Sequence, residues 1–137
     1  MNTKVLDKTN TSRLIFTKDN SKVIPSSLDI GFELVKELIG FGAGYKLPLV
    51  ANKKLHELIE KSSTKDDKLG DVYSIKNIGI LFEPELKIDF VSLCKKYSRD
   101  STFIIEHQGD IDDKNLFFLT RENGRKIELT DLNYTVL

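Results

Sequence analysis

Two short apolar runs, Ile78–Phe82 and Thr102–Ile105, constrain this chain more than any other feature. Each is nearly continuous rather than alternating, as in a strand covered on both faces. Between them Leu86, Phe90, Leu93 and Cys94 recur at helical spacing, bounded by Pro84 and Ser98. Strand, helix, strand over this distance is a βαβ unit. Its two strands run parallel, and parallel strands demand an α/β sheet with helices over its faces. Val72-Tyr73-Ser74-Ile75 leads into the first run. Alternation along a strand would put Ile80 and Phe82 on one face and Leu81 on the other.

The flanking segments extend the same architecture. Arg13–Thr17 reads as a short strand, and Asp19-Asn20-Ser21-Lys22 as a turn. Val23-Ile24 offers a second extended piece before Pro25. Ser26 or Ser27 is placed to cap a helix whose apolar residues are Leu28, Phe32, Val35, Leu38 and Ile39. Asp29 and Glu33 stand near the positive end of that helix. Gly40, Gly42 and Gly44 end it. A second helix follows Pro48, with a stripe of Val50, Leu55, Leu58 and Ile59, and Lys61–Gly70 reads as a polar loop. Near the C-terminus, Leu116–Leu119 and Ile127–Leu129 flank Asn123-Gly124, a dipeptide that readily takes positive φ and turns a hairpin. Tyr134–Leu137 is apolar enough to dock as a last strand. The expected fold is a single α/β domain over residues 1–137, a partly parallel sheet flanked by helices with a C-terminal β-hairpin. Residues 1–11 are polar and expected to be flexible.

Composition narrows the classes of function. At 137 residues a chain buries ~65–70% of its unfolded surface without metal or disulfide. The 39% apolar content excludes intrinsic disorder. No apolar run approaches the ~20 residues of a membrane helix, and no apolar stretch follows Met1-Asn2-Thr3-Lys4, so no membrane span or secretion signal is expected. One cysteine, Cys94, makes no internal disulfide, which points to a reducing cytoplasm. Lysine plus arginine equals aspartate plus glutamate at 21 each, against the cation excess of a dedicated nucleic-acid binder. Beneath this neutrality runs a gradient. Residues 1–23 hold five cations against two anions, a net of +3; residues 100–137 hold four against eight, a net of −4. Such asymmetry orients a protein against charged partners or its own copy.

Few residues offer chemistry. Gly40-Phe41-Gly42-Ala43-Gly44-Tyr45-Lys46 superficially suggests a phosphate loop. A working loop follows a strand, opens a helix and has glycine directly before the lysine. Here a helix precedes, Tyr45 precedes the lysine, and Leu47 replaces the magnesium-binding hydroxyl. Asp71, Glu83, Glu85 and Lys87 are the alternative set, an acid-x-lysine pattern in which carboxylates hold a divalent cation and the lysine orients water. This set would make the chain a metal-dependent nuclease or an unusual NTPase subunit. Glu85, however, lies just past Pro84, at a strand exit. His107 follows Thr102–Ile105 at a strand C-terminus, where open α/β sheets place ligands. A nucleophilic pair with it would need Cys94 nearby, but Cys94 lies on an apolar stripe and reads as an inert core thiol. His56 sits among charged neighbours as a surface residue. No metal-ligand pair or cofactor motif is present, so no catalytic residue, metal or cofactor is expected.

One resemblance adds to this reading. Asn77–Asp89, with Ser98-Arg99, Thr102–Ile105 and Gly109, resembles the C-terminal half of BrxF, a small P-loop family of BREX anti-phage defence systems. In that family an apolar strand with a Walker B-like acidic pair runs into "LFDP-x-L", a helix, "SR" and a strand. Ile30–Leu34 through Lys46-Leu47-Pro48 is similar to the family's first helical region, so the resemblance covers residues 24–109. It implies a degenerate P-loop-like fold. The family's Walker B aspartate and following glutamate fall at Lys76 and Gly79, and no glycine precedes Gly31 to build the phosphate loop. Lysine cannot hold magnesium, and glycine cannot orient a water. The resemblance therefore implies a non-catalytic protein-interaction subunit of a defence system, contacting other subunits or itself. A generic adaptor is the further alternative. With no active site, contact energy should concentrate in aromatic and arginine anchors. Phe117, Phe118, Arg121 and Tyr134, on the hairpin and tail, are the expected interface.

Overall fold

The computed structural model describes residues 13–18, 27–39, 46–67, 70–107, 111, 115–118, 125–130 and 132–136. In chain order these form β1 (Leu14–Thr17), β2 (Leu28–Asp29), α1 (Ile30–Leu38), α2 (Leu47–Lys61), β3 (Thr64–Asp66) and β4 (Gly70–Lys76). Two 3-10 segments follow, Ile78–Phe82 and Pro84–Leu86, then α3 (Phe90–Arg99), β5 (Thr102–Glu106), β6 (Asn115–Phe118), β7 (Arg125–Glu128) and β8 (Thr135–Val136). The principal sheet has six strands; the pairs along the order β2-β4-β5-β1-β8 are parallel, and β3 joins β4 antiparallel off that path. The unit β4-α3-β5 is a βαβ element, as expected, but its first strand is the segment around Val72–Ile75 and not the run Ile78–Phe82. β6 and β7 pair antiparallel as the C-terminal hairpin, and the tail docks as β8 beside β1. The architecture is α/β, a mostly parallel sheet flanked by three helices.

Register fixes the two faces of the sheet. Leu14, Phe16, Tyr73, Ile75, Phe103 and Ile105 share one face. All but half-buried Tyr73 are buried, and they join one apolar cluster with Ile30 and Leu34 of α1, Leu55 and Ile59 of α2, and Leu93 and Tyr97 of α3. The helices therefore cover this face. Ile15, Val72 and Ile104 are buried on the opposite face, outside that cluster.

Three expectations need correction. Ile78–Phe82 is a 3-10 helix, not a strand. The ladder of β4 ends at Ile75 and Lys76, and Asn77, at φ 59° and ψ 55°, turns the chain out of the sheet. Beyond the turn Ile78, Leu81 and Phe82 are buried while Ile80 is only half-buried. That is helical spacing, whereas a strand would group Ile78, Ile80 and Phe82. A short apolar run cannot reveal which period it will adopt. Secondly, the polar loop Lys61–Gly70 contains β3, which pairs antiparallel with the first half of β4. β2 pairs with the second half, so the two short strands divide one edge of β4 between them.

The third correction concerns α1. Its cap is Asp29, whose carboxylate accepts from the Phe32 N–H at 2.9 Å, and Leu28 belongs to β2. The buried residues are Ile30, Gly31 and Leu34, with Leu38 packed behind them, while Phe32, Val35 and Ile39 face outward. Two apolar stripes exist on this helix, and the buried one is Ile30 and Leu34, not the expected Phe32 and Val35. Val23-Ile24 and Gly40, Gly42 and Gly44 lie outside the described residues. α2 carries Pro48 in its first turn, where the missing N–H breaks no helical bond. It buries Ala51, Leu55 and Ile59.

Asp89 caps α3 in the same way, accepting from the Ser92 N–H at 3.0 Å. That backbone bond, with a further bond from the Ser92 side chain, holds the Asp89 carboxyl below its ordinary value of 3.8. A depressed folded-state pKa gives stability that is complete above the unfolded value and is lost as pH falls through the folded one. Asp89→Ala should therefore cost about 1 kcal/mol at pH 7, and the difference from wild type should shrink below pH 4. Urea denaturation of both proteins at pH 7 and pH 3 measures this. An equal difference at both pH values would rule out the capping carboxylate as its source.

Candidate functional site

Parallel α/β sheets present helix N-termini beyond the strand C-termini, and an exposed N-terminus there is a phosphate site. α1 and α3 both start in this way, and in both the position is taken by an aspartate of the chain itself. Asp29 accepts from Phe32 N–H and also from the Asn77 side-chain amide at 2.9 Å. These bonds, the Phe32 N–H first, hold its carboxyl below the ordinary value. Asn77 in turn lies directly over Gly31, where a Cβ would meet its side chain and its backbone oxygen. A carboxylate and an amide thus fill the space a phosphate would need. Lys76 is the last residue of β4, and Gly79 lies within the first 3-10 segment.

The alternative metal set is dispersed. Asp71 lies in the first half of β4 and pairs with Lys65 of β3 at 3.0 Å. Glu83 and Glu85 follow the opposite end of that strand, and Lys87, at φ 51°, closes the second 3-10 segment. Among the described residues no group of three or more histidines, cysteines, aspartates or glutamates is placed to hold a metal ion. Cys94 is fully buried, and burial pushes its thiol well up, which suits a core residue. His107 is buried just past β5; its N–H donates to Thr17 O at 2.9 Å and its ring stands edge-on to Phe16 at 6.2 Å.

His56 departs from the reading of a solvated surface residue. It is half-buried, and its Nδ1 lies 2.7 Å from the Tyr97 hydroxyl, which donates to Glu60 Oε2 at 3.2 Å. With the phenolic proton directed at Glu60, Nδ1 is the donor to the phenol oxygen. Desolvation, then Lys96, lowers the His56 pKa, and Glu60 opposes them. Burial, then Glu60, raises that of Tyr97. This chain ties α2 to α3 and opens onto none of the hollows described below.

The expected interface is only partly visible. Phe117 and Phe118 lie in β6, in register with Lys126 and Arg125. Their rings, and Arg121 entirely, lie outside the described residues. Tyr134 is half-buried, its ring edge-on to Phe16 at 5.5 Å.

The outward apolar residues lie elsewhere. Among the described residues the large exposed ones are Phe32, Val35, Ile39, Leu49 and Val136, with Ile39 at 75% and Leu49 at 73%. Phe32 and Val35 belong to α1, Ile39 caps its C-terminus, and Leu49 lies in the first turn of α2. Two hollows share Val35 and Ile39. One, of about 420 Å³, is bordered by Gly31, Phe32 and Asn77. The other, of about 320 Å³, has Leu38, Leu47, Ile80 and Leu86 in its walls and Glu83 and Glu85 at its edge. Concentrated exposure of this kind marks an interaction surface, whereas single exposed apolar residues do not. The signal in the sequence was the second apolar stripe on α1.

No family model, curated protein or solved structure matches this chain. Among the described residues no helix is long and apolar enough to cross a membrane.

Proposed function

We propose that this chain is a non-catalytic contact protein, and that its place is a bacterial BREX-like defence system, as the resemblance to BrxF implies. It works by binding other subunits of that system. The carrying observation is the outward apolar face formed by Phe32 and Val35 of α1 and Ile39 at its C-cap. A soluble surface keeps such groups apart unless something covers them. The capped starts of α1 and α3 support the non-catalytic part, since Asp29 and Asp89 already take the N–H groups a phosphate would use.

Two measurements test the proposal. Calorimetry with millimolar ATP and magnesium should give no saturable heat; saturable binding, lost on Lys76→Ala, overturns the non-catalytic reading. Co-expression with the products of neighbouring genes should give a complex that co-elutes in size exclusion. Val35→Lys and Ile39→Lys should dissolve it while circular dichroism stays unchanged. A complex indifferent to both substitutions would remove α1 as the contact.

A further inference from the structure

The groove along α1 has a definite chemistry, and this inference deepens the contact reading and rests on it. Val35 and Ile39 are one helical turn apart and form a ridge with a hollow on either side. A ridge of this i, i+4 kind seats between the ridges of a second helix. The hollows, about 320 and 420 Å³, each accept an apolar side chain or two. On the side of the smaller hollow the rim is acidic. Glu83 and Glu85 are both exposed, and neither makes an ion pair among the described residues. Pro84 between them fixes the backbone of one residue and restricts that of Glu83. On the other side Lys36 lies over the Phe32 ring at 5.8 Å and pairs with Glu33 at 3.9 Å, so that cation is already engaged.

We infer that the groove receives an amphipathic helix of a protein partner, with an apolar stripe astride the Val35–Ile39 ridge and lysine or arginine flanking it opposite Glu83 and Glu85. Helix-in-groove recognition supplies the anchors. The paired glutamates supply orientation and choice of partner, as rim charges do.

The probe is a pair of labelled 16-residue peptides with one leucine stripe at i, i+3, i+4 and i+7. One carries lysine on the flanks and the other glutamate. Fluorescence anisotropy is read against the full chain at low and physiological salt. The lysine peptide should bind about tenfold more tightly than the glutamate peptide at low salt, with the gap narrowing as salt rises. The double substitution Glu83→Lys, Glu85→Lys should reverse the preference. Val35→Lys should abolish binding of the lysine peptide, with circular dichroism confirming the fold. Three outcomes overturn the inference. One is equal binding of both peptides to wild type and double variant. Another is a wild type that binds neither peptide and is dimeric by light scattering, monomeric on Ile39→Lys; the occupant is then a second copy. The third is peptide binding untouched by Val35→Lys and Ile39→Lys. The first leaves the contact reading standing, because the groove still binds apolar stripes; the third removes the groove from both.

Discussion

Phe16→Ala is expected to cost about 3–5 kcal/mol. Phe16 is fully buried in β1, in register with Ile105 of β5 on one side and Val136 of β8 on the other. Its ring meets Tyr134 at 5.5 Å, His107 at 6.2 Å and Phe90 at 6.5 Å. One side chain thus joins the tail, the end of β5 and the start of α3 to the sheet. Truncation removes the transfer energy of the ring and leaves a cavity whose walls come from three separate elements, so collapse is incomplete. Domains of this size are stable by ~5–15 kcal/mol, so the variant should melt roughly 10–20 °C lower and release β8 first. Urea denaturation gives the free energy, and amide exchange at Thr135 and Val136 gives the local effect. A loss below ~1 kcal/mol would show that β1 is not the centre of the core.

Gly31→Ala carries the second large effect, and its sign is diagnostic. Gly31 is the second residue of α1, where alanine would favour the helix by ~1 kcal/mol on propensity alone. The added Cβ would lie 2.6 Å from both Asn77 Cγ and the Asn77 backbone oxygen. The backbone at Asn77 is held in the left-handed region by the turn out of β4, so it yields little. The clash should outweigh the propensity, giving a net destabilisation of about 1–3 kcal/mol. Asn77→Gly removes the side-chain part of the clash and suits positive φ. In a double-mutant cycle it should recover part of the loss, with the remainder due to the backbone oxygen. Stabilisation by Gly31→Ala would mean that α1 and the Asn77 turn are not in contact.

Several elements were legible in the sequence because local chemistry settled them. The helix α3 followed from its amphipathic stripe, and β5 is where Thr102–Ile105 placed it, while the strand before the helix is β4 around Val72–Ile75 and not the apolar run Ile78–Phe82. The hairpin strands followed from the residues flanking Asn123-Gly124, and β8 from the apolar tail. Cys94 is a core thiol, and helical spacing alone puts it with Phe90 and Leu93.

The tertiary structure decided what periodicity leaves open. On α1 the sets Ile30, Leu34, Leu38 and Phe32, Val35, Ile39 both recur at helical spacing. Which one met the sheet depended on the register of Leu28 and Asp29 with Ile75 and Lys76, a pairing between residues nearly fifty apart. That register turned Ile30 and Leu34 inward and left the candidate contact surface outside. The same holds for Ile78–Phe82. Its apolar residues fit either a strand or a helix, and the end of the β4 ladder with the turn at Asn77 selected the 3-10 form. His56 meets Tyr97, a residue of α3 distant in sequence, only through tertiary packing. The sequence by itself determined which residues are apolar and where the chain turns. Which of two equivalent faces is buried was decided by long-range strand pairing, whose free energy appears only when distant segments meet.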